Sequence, residues 1–218
     1  MRLFWAATSL CILGCTTSLP VSGPEAKQTL VIRSVVVLPF EKVTERYEMG
    51  TSVRCPVCGA IFQAGPIEIG ADTYMTEQLM GWVKDNAPWT LIPSGTAEGV
   101  RSRILSEEVG MSAHRLLVET GKGLRADAVI SGTIYRFKQR IGTSLSVDRP
   151  ASVALGVHLV RVADGRLIWV GQFDETQHSL SEDLFRLATF VKRGGGWLTA
   201  EELATFGLHE IMATFPLH

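Results

Sequence analysis

The stretch that most restricts the fold is residues 151–173. Ala151 to Val162 and Leu167 to Phe173 are apolar, β-branched runs, with Asp164-Gly165 between them. An Asp-Gly pair flanked in this way predicts a β-hairpin closed by a two-residue turn. Such a turn pairs Val162 with Leu167, Val160 with Trp169 and His158 with Gly171 on one face. It pairs Leu159 with Val170 and Val157 with Gln172 on the other. Both faces are then largely apolar, so the hairpin belongs inside a larger sheet. Helices are expected over one face, and further protein or a partner over part of the second.

The rest of the chain supplies those pieces. Leu30-Val31-Ile32 and Val35-Val36-Val37-Leu38, ended by Pro39, read as a central strand buried on both faces. Met75, Leu79, Trp82 and Val83 recur at helical spacing within Ala71 to Asn86, and Pro88 stops that helix. Trp89 to Ile92 is a short strand. Ala97 to Glu108 is a second helix, and Ser112 caps a third from Ala113 to Leu124. Ala126 to Tyr135 reads as strand, where Gly132 predicts a bulge or a close backbone approach. Ser179 with Glu182 and Thr199 with Glu202 are capping boxes, for helices to Val191 and from Ala200 to about Ala213. The expected fold is α/β: a mixed β-sheet with helices packed on it, in one domain over residues 29–218. Residues 41–69, rich in Gly and Pro, read as an insertion between the first strand and the first helix.

Ahead of the domain, Met1-Arg2 and the apolar run Leu3 to Leu13 have the form of a signal peptide, and the run is too short to span a bilayer. It closes on Leu10-Cys11-Ile12-Leu13-Gly14-Cys15, which resembles a bacterial lipobox. On that reading residues 1–14 are removed and Cys15 becomes the lipidated first residue, its acyl chains (palmitate among them) holding the protein to a membrane. Residues 15–28, polar and broken by Pro20, Gly23 and Pro24, form a flexible tether. Thr16, where enteric-type sorting reads Asp as a retention signal, implies the outer membrane by resemblance, with the domain facing the periplasm. The 218-residue chain has a formal net charge of −1, and its basic residues are scattered. It offers no electrostatic footprint for nucleic acid.

Cys55-Pro56-Val57-Cys58-Gly59 is the one motif with chemistry attached. Its spacing is that of a zinc knuckle, but a structural zinc site takes four ligands. No histidine lies close by in sequence, so a full site would need a second copy of the chain, in a homo-oligomer, or distant histidines. In an oxidising compartment a local disulfide pinning the loop is the favoured reading, ahead of metal and of thiol redox chemistry. The redox reading suffers because no helix begins at the motif. His158 lies among aliphatic strand residues and reads as a hydrogen-bonded residue rather than a ligand. His114, His178, His209 and His218 have no metal spacing. Asp174-Glu175 reads as a solvated pair at a strand end. Gly194-Gly195-Gly196 lacks the residues of a P-loop, and no nucleophile elbow is present. Arg193 and Trp197, beside that glycine run, are of the types that anchor interfaces, while core packing is the preferred reading of Trp197.

Three pieces carry a family resemblance: strand 31–40 ending in Val-Leu-Pro-Phe, the stretch Leu-Arg-Ala-Asp-Ala-Val-Ile-Ser-Gly-Thr-Ile at 124–134, and Asp164 to Trp169. With the lipobox they resemble periplasmic lipoproteins that share the fold of the penicillin-binding-protein activator, the curli secretion lipoprotein and the N-terminal domain of the Tol-Pal translocation protein. The resemblance covers most of residues 30–177. It implies a non-enzymatic envelope protein that binds, activates or helps assemble a protein complex. A secretion-channel component is the rival within that class. It needs long amphipathic membrane hairpins, and in residues 134–160 Lys138, Arg140, Asp148 and Arg149 suit lipid poorly. A thiol- or metal-handling protein using Cys55 and Cys58 is the rival outside it.

Overall fold

The computed structural model describes residues 32–43, 47–108, 110–177 and 196–217. The signal peptide, Cys15, the tether, the helix expected from Ser179 and Arg193 lie outside the described residues.

The chain begins with β1 (Ser34–Val37) and β2 (Glu41–Lys42), then a hairpin of β3 (Thr51–Arg54) and β4 (Ile61–Ala64). Next come α1 (Ala71–Asn86), β5 (Thr90–Ile92), α2 (Ser94–Glu107) and α3 (Ala113–Leu124). β6 (Ala128–Lys138), a small ribbon of β7 (Ile141–Gly142) and β8 (Val147–Arg149), β9 (Ser152–Arg161) and β10 (Leu167–Thr176) follow. Helix α4 (Ala200–Met212) completes the described elements. The main sheet runs β10-β9-β6-β1-β5, with β2 also on β6. It is mixed: β1 is parallel to β5 and β6, while β9 is antiparallel to β6 and β10. The expected fold class holds.

Burial explains the layers. Val35, Val36 and Val37 are fully buried, as a continuous β-branched run between two neighbours requires. On one face α2 and α3 pack over Val36, Val129, Val160 and Val162 through Ala97, Leu117 and Val118. On the other, α1 packs on β1 and β6, and α4 on β9, β10 and β6. Helices therefore cover both faces, not one as expected. The helix starts are chemically set. Ser112 Oγ accepts the Arg115 N–H at 3.3 Å. At α4 the Thr199–Glu202 capping box is complete: Thr199 N–H donates to Glu202 Oε2 at 2.7 Å, and Glu202 N–H to Thr199 Oγ1 at 3.1 Å.

Three expectations need correction. First, the β9–β10 turn is longer than two residues. Arg161 N–H donates to Arg166 O at 2.9 Å, leaving residues 162–165 as a four-residue loop. A type I′ turn needs positive φ at both central residues, and here Gly165 has it (68°) but Asp164 does not. The Asp164 carboxylate instead accepts from the Arg161 guanidinium and from the Arg166 N–H. With a bulge between Leu167 and Trp169, the register becomes Leu167 opposite Val160, Trp169 opposite Leu159 and Val170 opposite His158.

Second, the bulge in β6 lies not at Gly132 but between Ile134 and Arg136. Gly132 answers the other half of its prediction: a Cβ there would come within 2.3 Å of the Phe40 ring. The bulge puts both Tyr135 and Arg136 on the side of the β3–β4 hairpin and turns Phe137 to the α1 side, where it meets Tyr74 edge-on.

Third, residues 41–69 are more regular than expected, carrying β2 and the β3–β4 hairpin between β1 and α1. The β3–β4 hairpin closes the part of the sheet face that α2 and α3 leave bare. Phe62, 1% exposed, stacks on Tyr135 with ring centroids 4.1 Å apart. The stretch 134–160, weighed above for membrane hairpins, consists of parts of the interior strands β6 and β9 and the β7–β8 ribbon.

Candidate functional site

The site is built where the β3–β4 turn meets the face of β9. Cys55-Pro56-Val57-Cys58-Gly59-Ala60 is that turn. Cys55 N–H donates to Ala60 O at 2.7 Å, and Gly59 N–H to Cys55 O at 2.9 Å. Gly59 takes φ 77°, a conformation that glycine adopts without cost. Arg54 Nη1 braces the turn from outside by donating to Gly59 O at 2.9 Å. The wrap directs Val57 N–H at Cys55 Sγ, 3.4 Å away, and leaves Cys55 buried and Cys58 half-buried. Both are free thiols.

The third member is a residue that sequence reasoning set aside. His158, fully buried in β9, brings Nε2 to 3.3 Å from Cys55 Sγ. Strand alternation places Gly156 on the same face, beside Phe62 and the His158 ring, so the ring has room beneath the hairpin. One ligand atom each from Cys55, Cys58 and His158 lies within 4.8 Å of the other two. The other ring nitrogen, Nδ1, is buried with no hydrogen-bond partner. Ser131, opposite His158 in the β6–β9 register, also has a buried, unpartnered hydroxyl. The remaining described histidines, His114 and His209, take no part in the cluster.

The two thiols are electrostatically unequal. Burial pushes Cys55 up. The hydrogen bond with His158, the nearby Tyr135 hydroxyl and the Cys58 N–H outweigh it and hold the thiol at about 6. No hydrogen bond of normal geometry reaches Tyr135 Oη, so its effect on the sulfur is that of a nearby dipole. Burial raises Cys58, and the neighbouring Cys55 adds to the rise. Burial likewise raises Tyr135 well above the ordinary phenol value. The arrangement can supply one sulfur as a thiolate near neutral pH, next to an imidazole, in a pocket closed by Phe62 and Tyr135.

A second cluster locks the hairpin in place. Arg136, whose side chain is 3% exposed, donates to Asp174 Oδ1 at 2.7 Å, Ser152 Oγ at 2.6 Å, Val153 O at 3.4 Å and Gln63 O. Asp174 Oδ2 accepts Gln63 N–H at 2.7 Å. Asp174 is thus part of a partly buried ion pair that clasps β4, β6 and β10, not a free acid at a strand end.

Trp197 is half-buried. Its N–H donates to Ser144 O at 3.0 Å, and its carbonyl accepts from Arg140, tying the approach to α4 onto the β7–β8 ribbon. At the far end of the molecule Trp82, Trp89 and Trp169, all half-buried, gather around Phe215 with ring centroids 5.6, 5.7 and 4.7 Å from it. Sequence reading did not single these out, because four positions so far apart in the chain meet only in the folded state.

No protein-family model matches the chain, and no curated protein does. Among solved structures it is similar to the LpoB C-terminal domain from Escherichia coli, at 15% identity over 70% of this chain and 88% of that one, with a TM-score of 0.41. It is similar to the PelC dodecamer from Paraburkholderia phytofirmans, at 13% identity over 83% and 85%, with a TM-score of 0.44. It is also similar to lipoprotein GNA1162 from Neisseria meningitidis, at 14% identity over 74% and 96%, with a TM-score of 0.41. At these identities and TM-scores the role of this chain is argued from its own residues.

Proposed function

We propose that this protein is a lipid-anchored component of the bacterial cell envelope that works by binding proteins rather than by catalysis. The observation that carries the reading is the run Leu10 to Cys15: an apolar segment closing on Gly14-Cys15, ahead of a tether and one α/β body. Cys15 receives the lipid, the outer membrane is the expected site, and the body faces the periplasm. No helix among the described residues is long and apolar enough to cross a membrane, so acyl chains would supply the attachment. Two or more chains are needed for stable anchoring.

The body suits recognition. Its sheet is closed on both faces by its own helices and hairpin. Its half-buried tryptophans around Phe215 are of the residue type that dominates protein interfaces. Its task would be to activate or help assemble an envelope complex, as a monomer or as a homo-oligomer.

The test expresses the full chain and its Cys15→Ala variant in a Gram-negative host with radiolabelled palmitate. The wild type should incorporate label and fractionate with outer membranes, and should retain envelope proteins on affinity capture after cross-linking. The variant should lose label and membrane association. Absence of label from the wild type, or identical fractionation of the two, overturns the reading.

A further inference from the structure

The Cys55–Cys58–His158 cluster has a use that neither a partner-binding role nor the fold requires. We propose that these three side chains form a zinc site within one chain, clasping the tip of the β3–β4 hairpin to strand β9.

The donor set is the first argument. Two cysteine sulfurs and one imidazole nitrogen suit Zn²⁺ among the common divalent ions. Cys55 and Cys58 sit on a tight turn whose Val57 N–H already points at a sulfur, 3.4 Å away. A tetrahedral ion at about 2.0–2.3 Å from each ligand needs ligand atoms roughly 3.5–4 Å apart. Cys55 Sγ and His158 Nε2 stand 3.3 Å apart, and all three ligand atoms lie within 4.8 Å of one another. A movement of about 1 Å by the half-buried Cys58 side chain completes the approach. The fourth position falls to water or another exogenous ligand, since the described residues offer three donors here.

The second argument comes from the histidine. His158 is fully buried, its Nδ1 has no partner, and its Nε2 has the Cys55 sulfur. A Cys55–Cys58 disulfide removes both the proton and the charge from that sulfur. Nε2 would then lose its strong partner in the interior, beside an Nδ1 that already lacks one. A metal bound at Nε2 fixes the proton on Nδ1 instead. Ser131, opposite in register, has a buried hydroxyl that also lacks a partner, which makes it the nearest acceptor by register for that proton. One ion therefore gives the buried imidazole a partner at Nε2 and a single tautomer.

The test uses the full chain in detergent, reduced and stripped of metal, titrated with Zn²⁺ and separately with Co²⁺. One ion per chain should bind, and the Co²⁺ form should show thiolate charge-transfer absorption and the intense visible bands of tetrahedral coordination. Zn²⁺ should raise the unfolding temperature. Cys58→Ser and His158→Gln should each abolish stoichiometric uptake and the Zn²⁺-dependent rise, while His114→Gln should keep both. Cys58→Ser changes a half-buried position, so it reports on binding even if His158→Gln folds poorly. Sub-stoichiometric uptake by the wild type overturns the proposal, as does uptake unchanged in Cys58→Ser. A disulfide-linked protein that takes up no metal after reduction overturns it as well. None of these results bears on the lipid anchor.

Discussion

At the scale of single residues, two carboxylates hold distant parts of the chain together, and they do so differently. Asp174 faces Arg136, whose guanidinium is almost wholly enclosed. Removing the acid leaves a buried cation uncompensated, whereas removing the cation leaves an acid that water can reach. Asp174→Ala is therefore expected to destabilise by about 3 kcal/mol, and Arg136→Met by about half as much, because methionine refills the space. Urea unfolding of the two variants tests the order, and equal losses would contradict it.

Asp127 is exposed and sits just ahead of β6. Its Oδ2 accepts from Arg33 N–H and Ser34 N–H, each at 2.9 Å, and from Ser34 Oγ at 3.0 Å. Burial raises its carboxyl, but the hydrogen bonds together outweigh it and hold the group below the usual carboxylate range. A depressed folded value means the stabilisation is fully present above the unfolded pKa, near 3.9, and is lost as pH falls through the folded value. Wild-type stability should therefore drop below roughly pH 4 more steeply than that of Asp127→Asn. Parallel pH curves for the two proteins would remove this role.

At the scale of elements, the chain shows which signals are local. The starts of α3 and α4 were readable because a cap needs only neighbours in sequence: Ser112 and Arg115, Thr199 and Glu202. The bulge at Ile134/Arg136 was not, because it is settled by what each side chain meets across the sheet: Phe62 for Tyr135, Asp174 for Arg136, Tyr74 for Phe137. The turn was misjudged for a related reason. Asp164 is engaged by Arg161, and a bulge further along β10 absorbs the extra residue.

The candidate site divides in the same way. Cys55 and Cys58 announce themselves by spacing, while His158 arrives from 103 residues away and looks like any residue of a buried strand. Gly132 shows what an element tolerates where Phe40 lies across it. With the ring 2.3 Å from a built Cβ, Gly132→Ala should cost about 1–3 kcal/mol through forced displacement. Phe40→Leu in the same background should recover part of the loss, by thermal unfolding.

At the scale of the whole molecule, the layers follow from burying a two-faced apolar sheet, and the sequence already demanded that much. What it left open was how the second face is closed, and the answer is the segment that looked least regular. The pairing of β1 has a further consequence. Ser34 meets Asp127 across 93 residues, while β6, β9 and β10 follow one another and pair in turn. Contacts between near neighbours form soonest, and those that close long loops are slowest. A chain that emerges amino-end first can match one edge of its central strand to β5 early, but the other edge stays bare and greasy until the late meander exists to receive it. Whatever guards that strand during synthesis and delivery decides how much of the protein reaches its destination intact.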